Sequence, residues 1–273
     1  MFARGSRVLP GLLISAIALA ALMAASVCAK NAVRPSPVAS LRLKVVHTYP
    51  HDSRAFTQGL LMLDGKLYES TGLYGHSSVR RVDLASGMVE QQSILPPELF
   101  GEGLARVGQR LIQLTWKNGK ALVWDLGALT KVTEFSYDGE GWGLCFDGKR
   151  LVMSDGSARL TFRNATTFDK EGEVHVRRVG RPLGNLNELE CGRGPIYANV
   201  WQDSHIARID AATGEVTGWI DASGLLDRSE AASADVLNGI AEMEGSGHLL
   251  VTGKLWPHLF EVDIVSDAKD EPR

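Results

Sequence analysis

Side chains that can do chemistry recur at the beginning and end of a repeated strand, turn and strand pattern. The residues at the strand starts are Gln58, Glu102, Trp142, Asn187 and Asn238, and those at the strand ends are Glu69, Trp116, Asp155, Asn199, Trp201, Lys254 and Trp256. A carboxylate can transfer protons, an ammonium or a carboxamide can polarise a carbonyl oxygen, and indole rings can wall a pocket. Together, such groups make a site for a small polar ligand.

Five similar segments must bring these residues together. They begin at residues 58, 102, 142, 187 and 238, so successive copies lie 44, 40, 45 and 51 residues apart. This period is typical of the four-stranded blades of a β-propeller. Asp64-Gly65 and Asp147-Gly148 have the residue types of two-residue hairpin turns. Because a hairpin returns to the edge where it began, we expect the strand starts and strand ends to gather at one mouth of a central channel.

The two ends of the domain complement each other. The fifth copy is followed by a single strand pattern at 259–264, and the strand pattern at 41–47 precedes the first copy without a partner. We predict that the N-terminal strand completes the last blade, which leaves no open sheet edge. The sequence therefore predicts an all-β, five-bladed β-propeller whose last blade is closed by the N-terminal strand. A two-sheet sandwich is the alternative fold.

The composition is that of an ordinary globular protein. The 273 residues include 29 Lys or Arg and 32 Asp or Glu, giving a net charge of −3, and 44% are hydrophobic. These values exclude a disordered chain and a multi-span membrane protein. A chain without a basic excess lacks the charge needed to hold a phosphate backbone, so we expect no nucleic-acid partner.

The first 29 residues have the pattern of a signal peptide. Arg4 and Arg7 precede an apolar stretch at 12–27, and the Val-Cys-Ala sequence at 27–29 fits a cleavage site. We predict a signal peptide at 1–29, a linker at 30–40 and a single catalytic propeller domain at 41–273. The mature protein is then periplasmic or secreted and free of the membrane. A lipid-modified Cys28 and an uncleaved anchor helix are the alternatives.

The remaining cysteines and the histidines give no metal-binding pattern. Cys145 and Cys191 lie outside any Cys-x-x-Cys motif, and the seven histidines lack His-x-His or His-Glu-x-x-His spacing. We therefore expect no catalytic metal and no cofactor. Two cysteines of an exported protein could pair, but counting from the strand starts places them on opposite faces of neighbouring blades. We predict two free, poorly reactive thiols.

A series of short strings gives the chain a family resemblance. They are Phe56-Thr-Gln-Gly-Leu60, Glu69-Ser-Thr-Gly-Leu-Tyr-Gly75, Ser78-Val-Arg80, Gly101-Glu-Gly-Leu104, Gly141-Trp-Gly-Leu144, Ser154-Asp-Gly156, Leu186-Asn-Glu-Leu-Glu190, Ala198-Asn-Val-Trp201, Leu237-Asn-Gly-Ile240 and Thr252-Gly-Lys254. In this order, over about residues 45–264, they resemble the plant- and bacterial-type glutaminyl-peptide cyclotransferases, also called glutamine cyclotransferases. The resemblance implies a five-bladed propeller enzyme, an aminoacyltransferase that converts N-terminal glutamine into pyroglutamate and releases ammonia without zinc.

The resemblance also assigns roles to the candidate residues. Glu102 matches the acidic residue of the family's Gly-Glu-Gly-Leu string, and it would take the proton of the substrate's α-amine and deliver it to the leaving nitrogen. Lys254 and Asn187 would bind and polarise the γ-carbonyl oxygen. Gln58, with the backbone near Phe56, would orient the α-amine or the first peptide group.

The other candidates have structural interpretations beside the functional ones. A strand-end tryptophan in a propeller is often a core residue, but here the predicted wall of the pocket consists of Trp116, Trp142 and Trp201. Glu69 lies near Arg80 in the pattern, so we expect a partnered carboxylate that holds a rim loop, with catalytic acid as the alternative role. Glu188 is expected to make structural hydrogen bonds.

Two other function classes fit the same architecture. A lactonase-like propeller hydrolase would bind a metal through residues such as Glu102, Asn187 and Asn238, and a chelator would then abolish its activity. A non-catalytic binding propeller would release no ammonia from glutaminyl peptides. The cyclotransferase interpretation instead expects peptides or proteins with N-terminal glutamine as partners of a monomeric enzyme.

Overall fold

The computed structural model describes residues 1, 2, 5, 37–192 and 194–267. Apart from residues 1, 2 and 5, the predicted signal peptide lies outside the described residues, as do Cys28 and positions 30–36 of the predicted linker. One compact unit begins at Pro37. Within the described part of the chain, no helix is long and apolar enough to cross a membrane.

The described residues form an all-β protein. The strands are β1 (Ala39–Pro50), β2 (Thr57–Leu63), β3 (Lys66–Thr71), β4 (Ser78–Asp83), β5 (Val89–Ile94), β6 (Gly101–Val107), β7 (Arg110–Thr115), β8 (Lys120–Asp125), β9 (Lys131–Ser136), β10 (Leu144–Phe146), β11 (Arg150–Ser154), β12 (Arg159–Asn164), β13 (Lys170–His175), β14 (Arg177–Arg178), β15 (Arg181–Pro182), β16 (Leu186–Cys191), β17 (Pro195–Val200), β18 (His205–Asp210), β19 (Val216–Asp221), β20 (Leu237–Glu242), β21 (Leu249–Gly253) and β22 (His258–Ser266). A single helical turn, α1 (Arg228–Ala231), begins at a capping box made by Asp227 and Glu230.

Most strands pair with their neighbours along the chain. β2–β5, β6–β9 and β10–β13 form three separate four-stranded antiparallel sheets, which we call the first, second and third sheets. A further sheet has eight strands in the order β16-β17-β18-β19-β1-β22-β21-β20. β1 divides it into a fourth group, β16–β19, and a fifth group, β20–β22 with β1. The strand pairing thus follows the predicted repeat.

The N-terminal strand joins the C-terminal strands, as the unpartnered pattern at 41–47 predicts. β1 pairs antiparallel with β22 from Leu41 opposite Ser266 to Pro50 opposite His258. Its other edge pairs parallel with β19 over only four residues, from Ala39 to Arg42. The N-terminal strand therefore covers edges of both the fourth and the fifth groups.

The core lies between successive groups of strands. Buried apolar clusters fill the spaces between the first and second, second and third, third and fourth, and fourth and fifth groups. Another cluster, with Leu60 of β2 and Leu250 of β21, lies between the fifth group and the first. The innermost strands also contact each other in the order β2, β6, β10, β16, β20 and back to β2. The chain is thus closed on itself by apolar packing.

Glycines allow the innermost strands to approach this closely. A Cβ placed on Gly59 would lie 2.5 Å from the backbone nitrogen of Leu104, and one on Gly103 would overlap the backbone nitrogen of Leu144. A Cβ on Gly143 would overlap the carbonyl oxygen of Asn187. A side chain at any of these positions would force neighbouring strands apart. This explains the glycine that follows the polar or aromatic residue in several repeats.

The two predicted hairpin turns differ. Asp64 and Gly65 both have positive φ angles, 48° and 73°, which is the geometry of a two-residue type I′ turn. Between β10 and β11 the loop has three residues. There the Oδ1 of Asp147 accepts hydrogen bonds from the backbone N–H groups of Lys149 and Arg150. The same Asp-Gly pair therefore makes a two-residue turn in one repeat and an Asx-type turn in the other.

Cys145 and Cys191 form a disulfide, so the prediction of two free thiols is wrong. Their Cα atoms are 5.4 Å apart, in β10 of the third sheet and β16 of the fourth group. Cys145 belongs to the apolar cluster between the third sheet and the fourth group, and Cys191 packs against the same cluster. The prediction took opposite faces of neighbouring blades to be far apart, but two strand groups that pack on each other meet through opposite faces. The two side chains therefore lie on the faces that meet, at a separation that allows the bond.

Candidate active site

Several of the predicted strand starts and strand ends line one cavity of about 460 Å³, whereas the predicted Asn199 and Asn238 are buried outside its lining. The predicted catalytic and substrate-binding residues that line it are Phe56, Gln58, Glu102, Trp116, Trp142, Asn187, Trp201 and Lys254. Glu69, Arg80 and Glu188, which were expected to be structural, do not line it. Two strand-end residues expected at the same mouth, Asp155 and Trp256, line other cavities.

Four buried polar residues of the innermost strands lie within β-bulges. Register shifts occur between Thr57 and Gly59 in β2, Gly101 and Leu104 in β6, Leu186 and Leu189 in β16, and Leu237 and Ile240 in β20. These shifts contain Gln58, Glu102, Asn187 and Asn238. A bulge interrupts the ladder and turns a side chain away from the regular face of the sheet. The repeated bulge is therefore the local structure that positions the polar residues of the site.

A chain of side-chain amides holds the carboxyl group of Glu102. The Nδ2 of Asn238 donates to the Oε1 of Gln58 at 2.9 Å, and the Nε2 of Gln58 donates to the Oε1 of Glu102 at 3.1 Å. Asn238 also donates to the carbonyl oxygen of Thr57 at 2.9 Å. Because both ends of the Gln58 amide have partners, its orientation is fixed. Asn238 thereby positions Glu102 through Gln58.

Burial dominates the electrostatics of Glu102. Its residue surface is 4% exposed. Burial raises the pKa of its carboxyl group well above the ordinary value, the charge of Lys254 opposes this, and the charge of Glu140 adds to it. Burial also lowers the pKa of Lys254, against the charges of Glu102 and Asp235, which raise it. A carboxyl group with a raised pKa is suited to accept a proton and return it near neutral pH.

Asn187 brings an unsatisfied acceptor to the cavity. Its residue surface is 2% exposed, and its buried Oδ1 has no hydrogen-bond partner. Its backbone is held, since its carbonyl oxygen accepts a hydrogen bond from the Oγ of Ser154 at 2.7 Å. A buried acceptor without a partner is costly. A ligand N–H group that fills this position would remove that cost.

Aromatic rings line the cavity wall. The Nζ of Lys254 lies 4.8 Å from the ring centroid of Phe56. The Phe56 ring meets that of Phe100 edge to face at 6.1 Å, and the Phe100 ring meets that of Trp116 at 5.6 Å. Sequence analysis missed Phe100, although it immediately precedes the Gly-Glu-Gly-Leu string. Trp201, at 36% exposure, is the most open of the predicted wall residues.

Glu140 fixes two of the indole rings and was also missed. Its Oε2 accepts hydrogen bonds from the Nε1 of Trp116 at 2.7 Å and from the Nε1 of Trp142 at 3.0 Å. The Trp142 ring in turn meets that of Trp201 edge to face at 5.6 Å. One carboxylate therefore sets the angle of two wall residues that lie 26 positions apart in the sequence.

A second buried carboxylate, Glu69, has several charged and polar partners. Its Oε2 lies 2.7 Å from the Nη2 of Arg80 and 2.8 Å from the Nε of that guanidinium. Its Oε1 accepts a hydrogen bond from the Oγ1 of Thr57 at 2.6 Å. The Nη1 of Arg80 also contacts Asp52 at 3.0 Å. The contact between Glu69 and Arg80 is the one that the sequence analysis anticipated.

His51 completes the cluster around Glu69. Its Nδ1 lies 2.8 Å from the carbonyl oxygen of Trp256, and its Nε2 lies 3.1 Å from the Oε1 of Glu69. Both neighbours are acceptors, so both ring nitrogens are suited to carry protons. Burial lowers the pKa of His51, but the charge of Glu69 and these hydrogen bonds outweigh burial and raise it. The pKa of Glu69 is lowered despite burial, because Arg80 and His51 are cationic.

Glu188 links three of the innermost strands. From β16, its Oε1 accepts a hydrogen bond from the backbone N–H of Leu60 in β2 at 3.3 Å, and its Oε2 accepts one from Ile240 in β20 at 2.8 Å. Burial raises the pKa of this carboxyl group well above its ordinary value, as does the charge of Glu190, while the two backbone hydrogen bonds lower it. These are the structural hydrogen bonds expected from the sequence.

The polar side chains that line the cavity are suited to transfer protons to a small polar ligand and to hydrogen-bond with it. The charged residues of the cavity are Glu102, Asp235 and Lys254. A group of three or more His, Cys, Asp or Glu side chains that could hold a metal ion is not found in the part of the chain that the structure describes. Asp235 was not among the predicted site residues. Its sequence signal is its position two residues before β20, the strand whose bulge contains Asn238.

Comparisons with known proteins show the family of the chain. The sequence matches the model of the family described as glutamine cyclotransferase over residues 13–264. A glutaminyl-peptide cyclotransferase of Arabidopsis thaliana is 44% identical over 227 residues, which cover 81% of this chain and 71% of the relative. The crystal structure of the glutaminyl cyclase of Myxococcus xanthus superimposes with a TM-score of 0.77 and 41% identity, covering 85% of this chain and all of that one.

Proposed function

The chain belongs to the glutamine cyclotransferase family, and we propose that its cavity converts the N-terminal glutamine of peptides or proteins into pyroglutamate with Glu102 as proton shuttle. In this reaction the α-amine nitrogen bonds to the carbon of the γ-carboxamide, and the bond from that carbon to the amide nitrogen breaks. The products are the lactam and ammonia. Because the reaction is intramolecular, holding the substrate folded removes much of the barrier.

The observation that carries this mechanism is the meeting of three groups at one cavity. These are the buried carboxyl of Glu102, the ammonium of Lys254 and the unpartnered Oδ1 of Asn187. A glutamine side chain offers a carbonyl oxygen and an NH2 group, so it complements an ammonium and an amide acceptor at once. In this pose Lys254 faces the γ-carbonyl oxygen and Asn187 accepts from the γ-amide NH2.

Glu102 acts first as base and then as acid. The reaction starts from the neutral α-amine, and the carboxylate of Glu102 takes one of its two protons as the nitrogen bonds to the γ-carbon. Glu102 then gives that proton to the departing nitrogen, so that ammonia leaves and the lactam nitrogen keeps one hydrogen. The raised pKa of Glu102 makes it a stronger base than an exposed carboxylate, and Lys254 stabilises the negative charge that develops on the carbonyl oxygen.

The aromatic wall keeps water away from these steps. Phe56 and Phe100 lie on the side of Lys254, and the Glu140-bound indoles of Trp116 and Trp142 lie along the cavity. A dry cavity strengthens the attraction between Lys254 and the developing oxyanion. The wall thus supports cyclisation over hydrolysis of the carboxamide.

We further propose that the strand groups are the five blades of a propeller. The closed order of contacts from β2 through β6, β10, β16 and β20 back to β2 supports this. The apolar clusters between successive groups support it as well. A crystal structure with five four-stranded blades around one axis is the expected result.

The predicted signal peptide leads to a proposal on location. We propose a single catalytic domain that is exported to the periplasm or secreted and that works as a monomer without membrane or nucleic-acid partners. N-terminal sequencing of the exported protein should begin within a few residues of Lys30. Recovery of a lipid on Cys28, or of the uncleaved chain, would overturn this.

Mass spectrometry of a peptide with N-terminal glutamine tests the function. Incubation with the mature protein should lower the peptide mass by one ammonia, much faster than in a blank without enzyme. The same peptide with acetylated glutamine cannot attack its own side chain and should be unchanged. We expect EDTA or phenanthroline to leave the rate unaltered. A rate equal to the blank contradicts the function, and loss of activity that added zinc or calcium restores contradicts the metal-free mechanism.

A further inference from the structure

A second cavity, of about 360 Å³, adjoins the catalytic cavity. Gln202, Asp235 and Val236 line both. The strip at 235–236 is tied to Lys254 by two backbone hydrogen bonds of 2.9 Å, one from Asp235 N–H to the Lys254 carbonyl oxygen and one from Lys254 N–H to the Val236 carbonyl oxygen. A ligand that leaves the catalytic cavity over this strip enters the second cavity directly.

Buried, well-packed apolar side chains form the base of the second cavity. Trp256, 6% exposed, donates a hydrogen bond from its Nε1 to the carbonyl oxygen of Asp235 at 2.8 Å. Its ring packs edge to face against Phe260 at 6.3 Å. Leu237 is buried beside it, and Leu225 is half-buried in the same apolar cluster. The position of these side chains is thus fixed by packing in the core.

The charges at this cavity are of one sign. Its lining includes the carboxylates of Asp203 and Asp235, and no lysine or arginine is found among its described lining residues. The Oδ1 of Asp203 contacts the Nδ1 of His205 at 2.6 Å, whereas Asp235 is exposed at the strip between the two cavities. An acidic ligand side chain would be repelled here, while an apolar one would gain by leaving water.

We propose that this second cavity is the subsite for the residues that follow the N-terminal glutamine, and that it selects an apolar side chain at position two or three. The proposal rests on the proposed function. A peptide whose glutamine fills the catalytic cavity continues from its α-carbonyl group, and an extended chain advances about 3.3 Å per residue with side chains on alternating sides. One or two residues therefore span the shared strip. The substrate class is then peptides with an apolar, non-acidic residue next to the glutamine.

Peptides that differ only after the glutamine test the subsite. The set is glutamine amide, Gln-Gly-Gly-Gly, Gln-Leu-Gly-Gly, Gln-Gly-Leu-Gly and the two peptides with glutamate in place of leucine. We expect kcat/KM for at least one leucine peptide to exceed that of the glycine peptide by roughly 10-fold, since burial of a leucine side chain is favourable. The matching glutamate peptide should fall below the glycine peptide.

Two neighbouring exposed alanines provide a matched pair of variants. Ala231 lines the second cavity and Ala232 does not, so Ala231→Trp should fill the subsite and Ala232→Trp should serve as control. Ala231→Trp is expected to remove the preference for leucine and to leave the kcat/KM of glutamine amide unchanged. Ser223→Trp, at another exposed lining residue, should do the same.

The outcomes separate the two proposals. If neither glutamine amide nor any peptide is cyclised, the proposed function is wrong. If all are cyclised with equal kcat/KM, or if Ala231→Trp and Ser223→Trp keep the leucine preference, the function stands and the subsite proposal is wrong. Thermal unfolding of each variant shows that it is folded before its kinetics are compared.

Discussion

Glu102 and Glu69 are both buried carboxyl groups, yet their pKa values move in opposite directions. Burial opposes ionisation in both. Around Glu69, the guanidinium of Arg80, the imidazolium of His51 and the hydroxyl of Thr57 outweigh burial. Around Glu102, the amide of Gln58 and the ammonium of Lys254 do not outweigh burial, so the pKa is raised. The comparison shows that the partners of a buried carboxyl group, rather than its depth, decide whether its pKa falls or rises.

The largest expected effect is on turnover in Glu102→Gln. The substitution keeps the shape of the side chain but removes the base, so activity should fall by roughly 10² to 10⁴-fold with the fold unchanged. Turnover of a glutaminyl peptide and thermal unfolding measure the two properties. Glu134→Gln, at a half-exposed carboxylate of β9 that pairs with Lys120 and Lys131 away from the cavity, is the control and should match the wild type in turnover. Near-normal turnover of Glu102→Gln would remove this residue from the mechanism.

Lys254→Met should reduce kcat/KM by roughly 10² to 10³-fold, because the oxyanion loses its cation. The same change should move the acidic limb of the pH profile to higher pH, since Lys254 lowers the pKa of Glu102. The kcat/KM of the variant, measured across pH on one peptide, tests both effects. An acidic limb that stays in place would mean that Lys254 and Glu102 do not interact.

Glu69→Gln should act on stability instead. It leaves the buried His51 without a counter-charge and Arg80 with that of Asp52 alone, so the free energy of unfolding should fall by about 3 kcal/mol. Substrate binding should weaken more than kcat falls, because the loop that follows β3 loses its support. Chemical denaturation and steady-state kinetics measure these changes. A Glu69→Gln protein that is thermally unchanged and inert would transfer the proton shuttle from Glu102 to Glu69.

The cluster around Glu69 also predicts a pH dependence of stability. The pKa of His51 is raised in the folded state, so its contribution is complete below the pKa of an unfolded histidine and is lost as pH rises through the folded value. The pKa of Glu69 is lowered, so its contribution is complete above the pKa of an unfolded glutamate and is lost as pH falls from there through the folded value. Chemical denaturation should show that the free energy of unfolding declines between neutral and alkaline pH, and the His51→Gln variant should lack this decline. Equal slopes for the two proteins would contradict a charged His51.

The smallest expected effect is that of Glu140→Gln. The amide oxygen can still accept from Trp116 and Trp142, so the wall is kept while a negative charge is lost. Because that charge raises the pKa of Glu102, the acidic limb should move slightly to lower pH, opposite to the shift of Lys254→Met. The pH profile of kcat/KM measures this. A shift in the same direction as Lys254→Met would show that the electrostatic description of the cavity is wrong.

Much of the site could be predicted from residue types in a repeated pattern. Gln58, Glu102 and Asn187 occupy equivalent positions in successive repeats, and a repeat of strand hairpins brings equivalent positions to one end. What the pattern could not predict was Glu140, because Trp116 follows β7 whereas Glu140 and Trp142 precede β10, and Glu140 meets Trp116 only in the folded chain. It also did not predict the second cavity, whose lining residues come from separate loops and strands.

The sequence by itself determined the strand content, the repeat and the identity of eight residues that line the candidate cavity, because periodic apolar residues and turn signals are local. Tertiary structure alone decided which faces of the strand groups meet. The packing of the fourth group on the third sheet brings Cys191 against Cys145. Tertiary structure likewise decided that the pKa of Glu69 is lowered and that of Glu102 is raised, since a pKa depends on groups that are distant in the sequence and adjacent in space.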